Sequence, residues 1–280
     1  MSEERFIGYF RLVEACAEPG CPVCRCVTHE SRSYLDSLLY EQVTDPGTRR
    51  VIRAAWGFCN WHTWLLLEIG SSRFGAAIIY DDLVRLALSR TERLAARAGQ
   101  SRGRRWLRAL FGGARRPGVM DLYRARAACP ACVHAADSER RYLDTIVKFI
   151  DDGDLQAGYA RSDGLCVPHL FAALEGNPER HEARMLVDRT RAKWAGIGRD
   201  IGSFVAKHDY RNREPYTAEE TASYTRAFEM FAGAKSVFGN DVHAPSSTRR
   251  ASRHSMSPVK PATSAGDSRA PSRPVGEDVS

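Results

Sequence analysis

Cys21 and Cys24, in Cys-Pro-Val-Cys, and Cys129 and Cys132, in Cys-Pro-Ala-Cys, each set two thiols three residues apart. Cys59 and His62, in Gly-Phe-Cys-Asn-Trp-His, and Cys166 and His169, in Gly-Leu-Cys-Val-Pro-His, each add a thiol and an imidazole at the same spacing. Two donors three apart at the start of a helix can face one ion. Taken in chain order, Cys21, Cys24, Cys59 and His62 make one set of three thiolates and one imidazole. Cys129, Cys132, Cys166 and His169 make a second. Such a set suits a closed tetrahedral zinc site, so two zinc ions per chain are expected, one within each half. Helix N-termini also favour thiolate charge. The 34 residues between Cys24 and Cys59 exceed the spacer of a small finger and leave room for a helix hairpin. An iron–sulfur cluster and metal-free redox thiols are the alternative chemistries. A catalytic zinc keeps an open position, whereas each set here supplies four donors, so a structural metal is expected rather than Lewis-acid catalysis.

Other chemistry-bearing residues read more blandly. One Cys-x-x-Cys alone could be two buried small hydrophobes, but two, each followed by Cys-x-x-His at the same distance, argue for ligands. A thioredoxin-like motif would sit beside a βαβ pattern, which the chain lacks. Cys16 and Cys26 have no counterpart in the second half and read as core or partly exposed thiols. His29 and His134 follow their Cys pairs at unequal distances and read as surface or supporting groups. Asp151, Asp152 and Asp154 read as a helix-capping loop rather than an acid/base pair. Lys207-His208-Asp209-Tyr210-Arg211 reads as a solvated helix end, with a small recognition or catalytic patch as the alternative. No GxxxxGK[ST], HExxH or GxSxG motif is present. No catalytic residue is assigned, and the balance is against an enzyme.

The spacing is that of a tandem duplication. The Cys-Pro-x-Cys pairs recur at an offset of 108 residues and the Cys-x-x-His pairs at 107. Tyr34-Leu35-Asp36 recurs as Tyr142-Leu143-Asp144. The elements expected around these motifs are helices, giving an all-α fold of two homologous repeats. Residues 3–16 should form an amphipathic helix with Phe6, Ile7, Phe10 and Val13 on its apolar face. Each Cys-Pro-x-Cys opens a helix, one carrying Val27, Tyr34, Leu35, Leu38 and Leu39, the other Val133, Tyr142, Leu143, Ile146, Val147 and Ile150. The Cys-x-x-His pairs begin short helices through Trp64-Leu67 and Leu170-Ala172. Long helices close the halves at about 72–98 and 178–209, the second started by Asn177-Pro178. Thr217-Ala218-Glu219-Glu220 is a capping box opening a last helix to about Lys235. The domains expected are a first repeat at 1–100, a basic linker at 101–117, a second repeat at 118–240 and a disordered tail at 241–280.

The motifs in this order resemble a family of uncharacterised prokaryotic proteins, a domain of unknown function. The residues that carry the resemblance are the two Cys-Pro-x-Cys pairs, Tyr34-Leu35-Asp36 with Leu38-Leu39-Tyr40-Glu41, Asp45-Pro46, Gly57-Phe58-Cys59 with His62, Gly164-Leu165-Cys166 with Pro168-His169-Leu170, and Lys207 to Arg211. It spans roughly residues 5–235 and implies no activity; zinc rests on ligand chemistry alone.

Composition sets the remaining bounds. The 280 residues are 43% hydrophobic and 27% charged, a globular composition that excludes collagen-like and wholly disordered chains. The N-terminus lacks an apolar signal segment and no apolar run is long enough to cross a membrane, so a cytoplasmic protein is expected. In a reducing compartment, paired cysteines favour metal over disulfide. The net charge of +7 is concentrated in residues 85–126, which hold twelve arginines and two acidic residues. Arg102, Arg104, Arg105 and Arg108 flank Trp106, Leu107, Leu110 and Phe111. This segment reads as a surface insert, a nucleic-acid contact or an anionic-membrane contact. Residues 241–280 hold nine serines and five prolines and too few apolar groups to order themselves. The function expected is a non-catalytic binding or scaffold module with zinc fixing its helices and a protein partner. A redox or iron–sulfur protein and a nucleic-acid-associated protein are the alternatives.

Overall fold

A computed structural model describes residues 6–70, 73–98, 125, 127–175, 180–235 and 237–238. The basic linker with Arg102, Arg104, Arg105 and Arg108, the Asn177-Pro178 start signal and the tail at 241–280 lie outside the described residues. Those residues form helices only: α1 Ile7–Ala15, α2 Pro22–Glu41, α3 Pro46–Ala55, α4 Asn60–Glu68, α5 Arg73–Ala98, α6 Pro130–Phe149, α7 Gly153–Arg161, α8 Val167–Leu174, α9 His181–Lys207 and α10 Ala218–Ala232. The all-α duplication is therefore present helix by helix, with α2 to α5 matching α6 to α9.

Helix starts follow local chemistry. Pro22 and Pro130 stand in the first turns of α2 and α6, where the missing N–H costs no hydrogen bond. Asp45 caps α3 by accepting the Thr48 N–H at 2.6 Å, and Asp152 caps α7 by accepting the Asp154 N–H at 3.2 Å. The acidic turn at 151–154 is thus a helix cap. The short helices α3 and α7 that Asp45 and Asp152 cap are not among those expected from the sequence pattern. The capping box at α10 is complete: Thr217 Oγ1 accepts the Glu220 N–H, and the Glu220 carboxylate accepts the Thr217 N–H.

Burial corrects the reading of the first helix. Ile7 is 74% exposed and Phe10 50%, whereas Tyr9 and Leu12 are fully buried. The stripe that packs is Tyr9, Leu12 and Cys16, with the Tyr9 ring edge-on to Phe149 at 5.3 Å and its hydroxyl bonded to Asp152. Two apolar stripes overlap on this helix, and only its neighbours decide which one is covered. Val133, expected on the inner face of α6, is likewise half exposed.

Among the described helices the most extensive contact joins α2 to α6. Tyr34 stacks on His134 with centroids 4.5 Å apart, while Glu30, a turn earlier on α2, accepts from Tyr142, two turns later on α6. The two helices therefore run antiparallel. Two cores lie at opposite ends of this seam. One contains Tyr9 and Leu12 of α1, Val23 and Val27 from the start of α2, and Tyr142, Ile146, Leu155 and Leu186 from the second repeat. The other contains Leu35, Leu38 and Leu39 from the end of α2, Ile52, Leu65, Leu66 and Ile79, together with Ala131 from the start of α6. Each repeat thus completes the core of the other.

Candidate metal centres

All four donor pairs occupy the same two helix positions. Cys21, Cys59, Cys129 and Cys166 are the N-cap residues of α2, α4, α6 and α8, and Cys24, His62, Cys132 and His169 follow three residues later. At these positions the side chains lie side by side over the free N–H groups, where helix charge favours a thiolate. Ahead of Cys59 and Cys166 the chain must turn sharply. Gly57 and Gly164 make that turn with φ of 93° and 82°, in the left-handed region open to glycine. A Cβ on Gly164 would also stand 3.2 Å from the Lys193 side chain.

The pairs converge across the duplication, not within it. Cys21, Cys24, Cys166 and His169 form one cluster, and Cys59, His62, Cys129 and Cys132 form the other, with donor atoms all within 4.8 Å of one another. The eight expected residues do assemble into two Cys3His sets. The within-half pairing of Cys21 and Cys24 with Cys59 and His62, and of Cys129 and Cys132 with Cys166 and His169, is corrected. The cause is geometric. Helix α2 has 20 residues and is about 30 Å long. Its thiols are at one end, and the core that seats α4 is at the other, so Cys59 and His62 are carried away from Cys21 and Cys24. The antiparallel partner α6 brings its own start, with Cys129 and Cys132, to that far end.

In the first cluster His169 Nδ1 lies 3.4 Å from Cys21 Sγ, 3.4 Å from Cys24 Sγ and 3.3 Å from Cys166 Sγ. Cys24 Sγ and Cys166 Sγ are 3.8 Å apart. In the second, His62 Nδ1 lies 3.1 Å from Cys59 Sγ, 3.4 Å from Cys132 Sγ and 3.7 Å from Cys129 Sγ. Tetrahedral bonding to one zinc, with bonds of about 2.3 Å to sulfur and about 2.0 Å to nitrogen, requires edges of about 3.8 Å between sulfurs and about 3.5 Å between sulfur and nitrogen. The sulfur–nitrogen spacings bracket the second edge; of the sulfur–sulfur spacings, Cys24 to Cys166 equals the first edge and Cys59 to Cys132, at 3.4 Å, is somewhat shorter. Seven of the eight residues are buried; Cys132 is half-buried. Both clusters are closed four-donor sites capable of holding one ion each.

Charge is already separated among the donors. Contacts from Cys129, Cys132 and His62 outweigh burial and hold the Cys59 thiol far below its ordinary range. Burial pulls His62 down, yet contact with Cys129 and Cys59 raises it to about 9. His169 is raised in the same way to about 11, against burial, by Cys166, Cys21 and Glu139. A cation entering either cluster must displace these protons, so its binding depends on pH.

The supporting groups are not legible in the chain order. His169 Nε2 lies 3.1 Å from Glu139 Oε1, within ion-pair range though off the line of a full hydrogen bond. The Ala234 N–H, just past α10, donates to Cys24 Sγ at 3.3 Å, and the Phe238 ring sits 5.0 Å from the His169 ring. Tyr159, fully buried, accepts the Leu165 N–H at 2.9 Å and so fixes the backbone beside Cys166. Glu139 is seven residues beyond Cys132, two turns along α6, but its target belongs to α8.

The remaining candidates separate cleanly. Cys16 and Cys26 are buried and their thiols are pushed up to about 12 by that burial, which makes them core groups. His29 is exposed, and His134 packs flat on Tyr34. Lys207 donates to Glu220 at 2.9 Å and to the Pro215 carbonyl at 3.1 Å, tying α9 to α10. Tyr210 beside it is 87% exposed.

Residues 7–237 match the family of unknown function DUF6062. The chain belongs to that family. The match takes in all ten described helices and both clusters and adds no activity to them. No curated protein and no solved structure matches the chain. No helix among the described residues is long and apolar enough to cross a membrane.

Proposed function

We propose that this member of the family is a non-catalytic zinc-binding scaffold in which two zinc ions fasten two helical repeats to one another. The observation that carries the reading is the crossed pair of buried Cys3His clusters, each drawing two donors from each repeat. Four protein donors leave no open position for substrate, so the metal holds structure. The tight grouping of the donors favours a single ion. A multi-iron cluster spreads its cysteines over different irons and needs sulfurs further apart than 4.8 Å. Zinc suits three thiolates and an imidazole better than magnesium, calcium or manganese, which prefer oxygen. Reduced thiols fit a cytoplasmic location. With the fold locked by metal, the exposed helix faces are left to a protein partner.

The test is elemental analysis of the full chain purified without oxygen or added metal. Two zinc per chain is the expected result. Iron with sulfide would replace the scaffold reading by a redox one, and a metal-free protein with four or more oxidisable thiols in the clusters would do the same.

A further inference from the structure

Resting on the zinc reading, we propose that the two sites are unequal. Glu139 acts as a positioning residue that makes the His169 site the retentive one, and the His62 site surrenders its zinc first.

The duplication itself supplies the comparison. Glu139 is ten residues past Cys129 on α6. The position ten residues past Cys21 on α2 is Ser31, buried and without a carboxylate. The duplication makes these two positions equivalent, and α6 places Glu139 against the histidine of α8. The consequences are visible at the two rings. His169 Nε2 has a carboxylate oxygen at 3.1 Å. His62 Nε2 is buried; neither Nε2 makes a full hydrogen bond among the described residues, but only His169 has a carboxylate oxygen within ion-pair range. With each Nδ1 facing the sulfurs, the Nε2 carries the ring's proton. A carboxylate within ion-pair range of that proton restrains the ring and makes Nδ1 a stronger donor. An unpartnered buried N–H does neither, and it leaves the ring less firmly held.

Two further differences point the same way. All four donors of the His169 site are buried, whereas Cys132 in the other site is half-buried and open to a competing chelator. The His169 site is also covered by a third element: the Ala234 N–H donates to Cys24 Sγ and Phe238 lies against the imidazole. An N–H donated to a thiolate stabilises its negative charge and slows its protonation. All three differences favour retention at one site and release at the other.

Competition with a chromophoric zinc chelator tests this on the full zinc-loaded chain. The expected course has two phases of one zinc each. Cys132→Ser should abolish the fast phase and leave the slow one. Glu139→Gln should weaken only the slowly released zinc, by roughly 10–100-fold, as removal of a supporting partner does. Ser31→Glu should retard only the fast phase; should that variant fail to fold, Glu139→Gln carries the test alone. A general structural role for Glu139 would lower the stability of the loaded protein and shift both phases together. Release of two zinc ions in one phase, or an unchanged slow phase in Glu139→Gln, overturns the inequality while leaving the scaffold standing. A chain that takes up no zinc removes the scaffold as well, so the two failures are distinguishable.

Discussion

Paired substitutions separate crossed from within-repeat ligation by counting metal. Cys24 and Cys166 belong to one cluster, 142 residues apart in the chain, and Cys59 belongs to the other. The variant Cys24→Ser with Cys166→Ser should therefore lose one zinc and keep one. The variant Cys24→Ser with Cys59→Ser should lose both. Ligation within each repeat makes the opposite forecast, none and one. The stability change follows from the loop that the metal closes. A cross-link spanning 142 residues restricts the unfolded chain by about 5 kcal/mol at 25 °C, against about 4 kcal/mol for the shorter loop from Cys24 to Cys59. For a chain of this size about 5 kcal/mol lowers the melting temperature by roughly 10–20 °C. The same-cluster double variant should fall by that amount and no further than Cys24→Ser alone, because the first substitution already empties the site. The cross-cluster variant loses both links, roughly 10 kcal/mol, which is comparable to the whole stability of an ordinary domain. It should be unfolded or molten near room temperature. The assays are zinc per chain by elemental analysis and thermal unfolding by circular dichroism. One zinc retained in Cys24→Ser with Cys59→Ser would refute the crossed geometry and the antiparallel seam from which it follows.

Two other substitutions probe the supports around the clusters. Thr190 Oγ1 donates to the Leu186 carbonyl at 2.7 Å, so the Tyr159 hydroxyl donates to Thr190 and accepts from Leu165. Tyr159→Phe leaves the Leu165 N–H buried without an acceptor and should cost about 1–3 kcal/mol, read by urea unfolding of the zinc-loaded protein; no change would mean that the bond is not formed. Glu220, held by Ser203, the Thr217 N–H and Lys207, has its carboxyl lowered from 4.5 to about 2. A depressed carboxylate contributes stability that is present above pH 4.5 and lost as pH falls through about 2, so the gap between wild type and Glu220→Gln should be widest above pH 4.5 and close in acid. Parallel stability curves for the two proteins would contradict that linkage.

How far the chain can be read depends on the range of each signal. Helix starts are legible where a local group makes them: Pro22 and Pro130 in the first turns, Thr217 and Glu220 as a capping box. The short helices α3 and α7 escape notice although Asp45 and Asp152 cap them, because their Asp, Pro and Gly residues serve turns equally well. The buried stripe of α1 is misread because Phe6, Ile7 and Phe10 are as apolar as Tyr9 and Leu12. Tyr9 wins through Asp152 and Phe149, residues more than a hundred positions away.

By itself the sequence determined the donor chemistry. Residue type sets what a thiol or imidazole can bind, and a spacing of three places both donors over one helix N-terminus. The repeated motifs likewise determined that there are two sets of helices and two complete groups of donors. Only the tertiary structure decided which pairs meet. Both pairings use the same residue types, so composition and spacing are silent between them. The choice falls to the length and antiparallel packing of α2 and α6, which carry each Cys-Pro-x-Cys start away from its own repeat and into the core of the other.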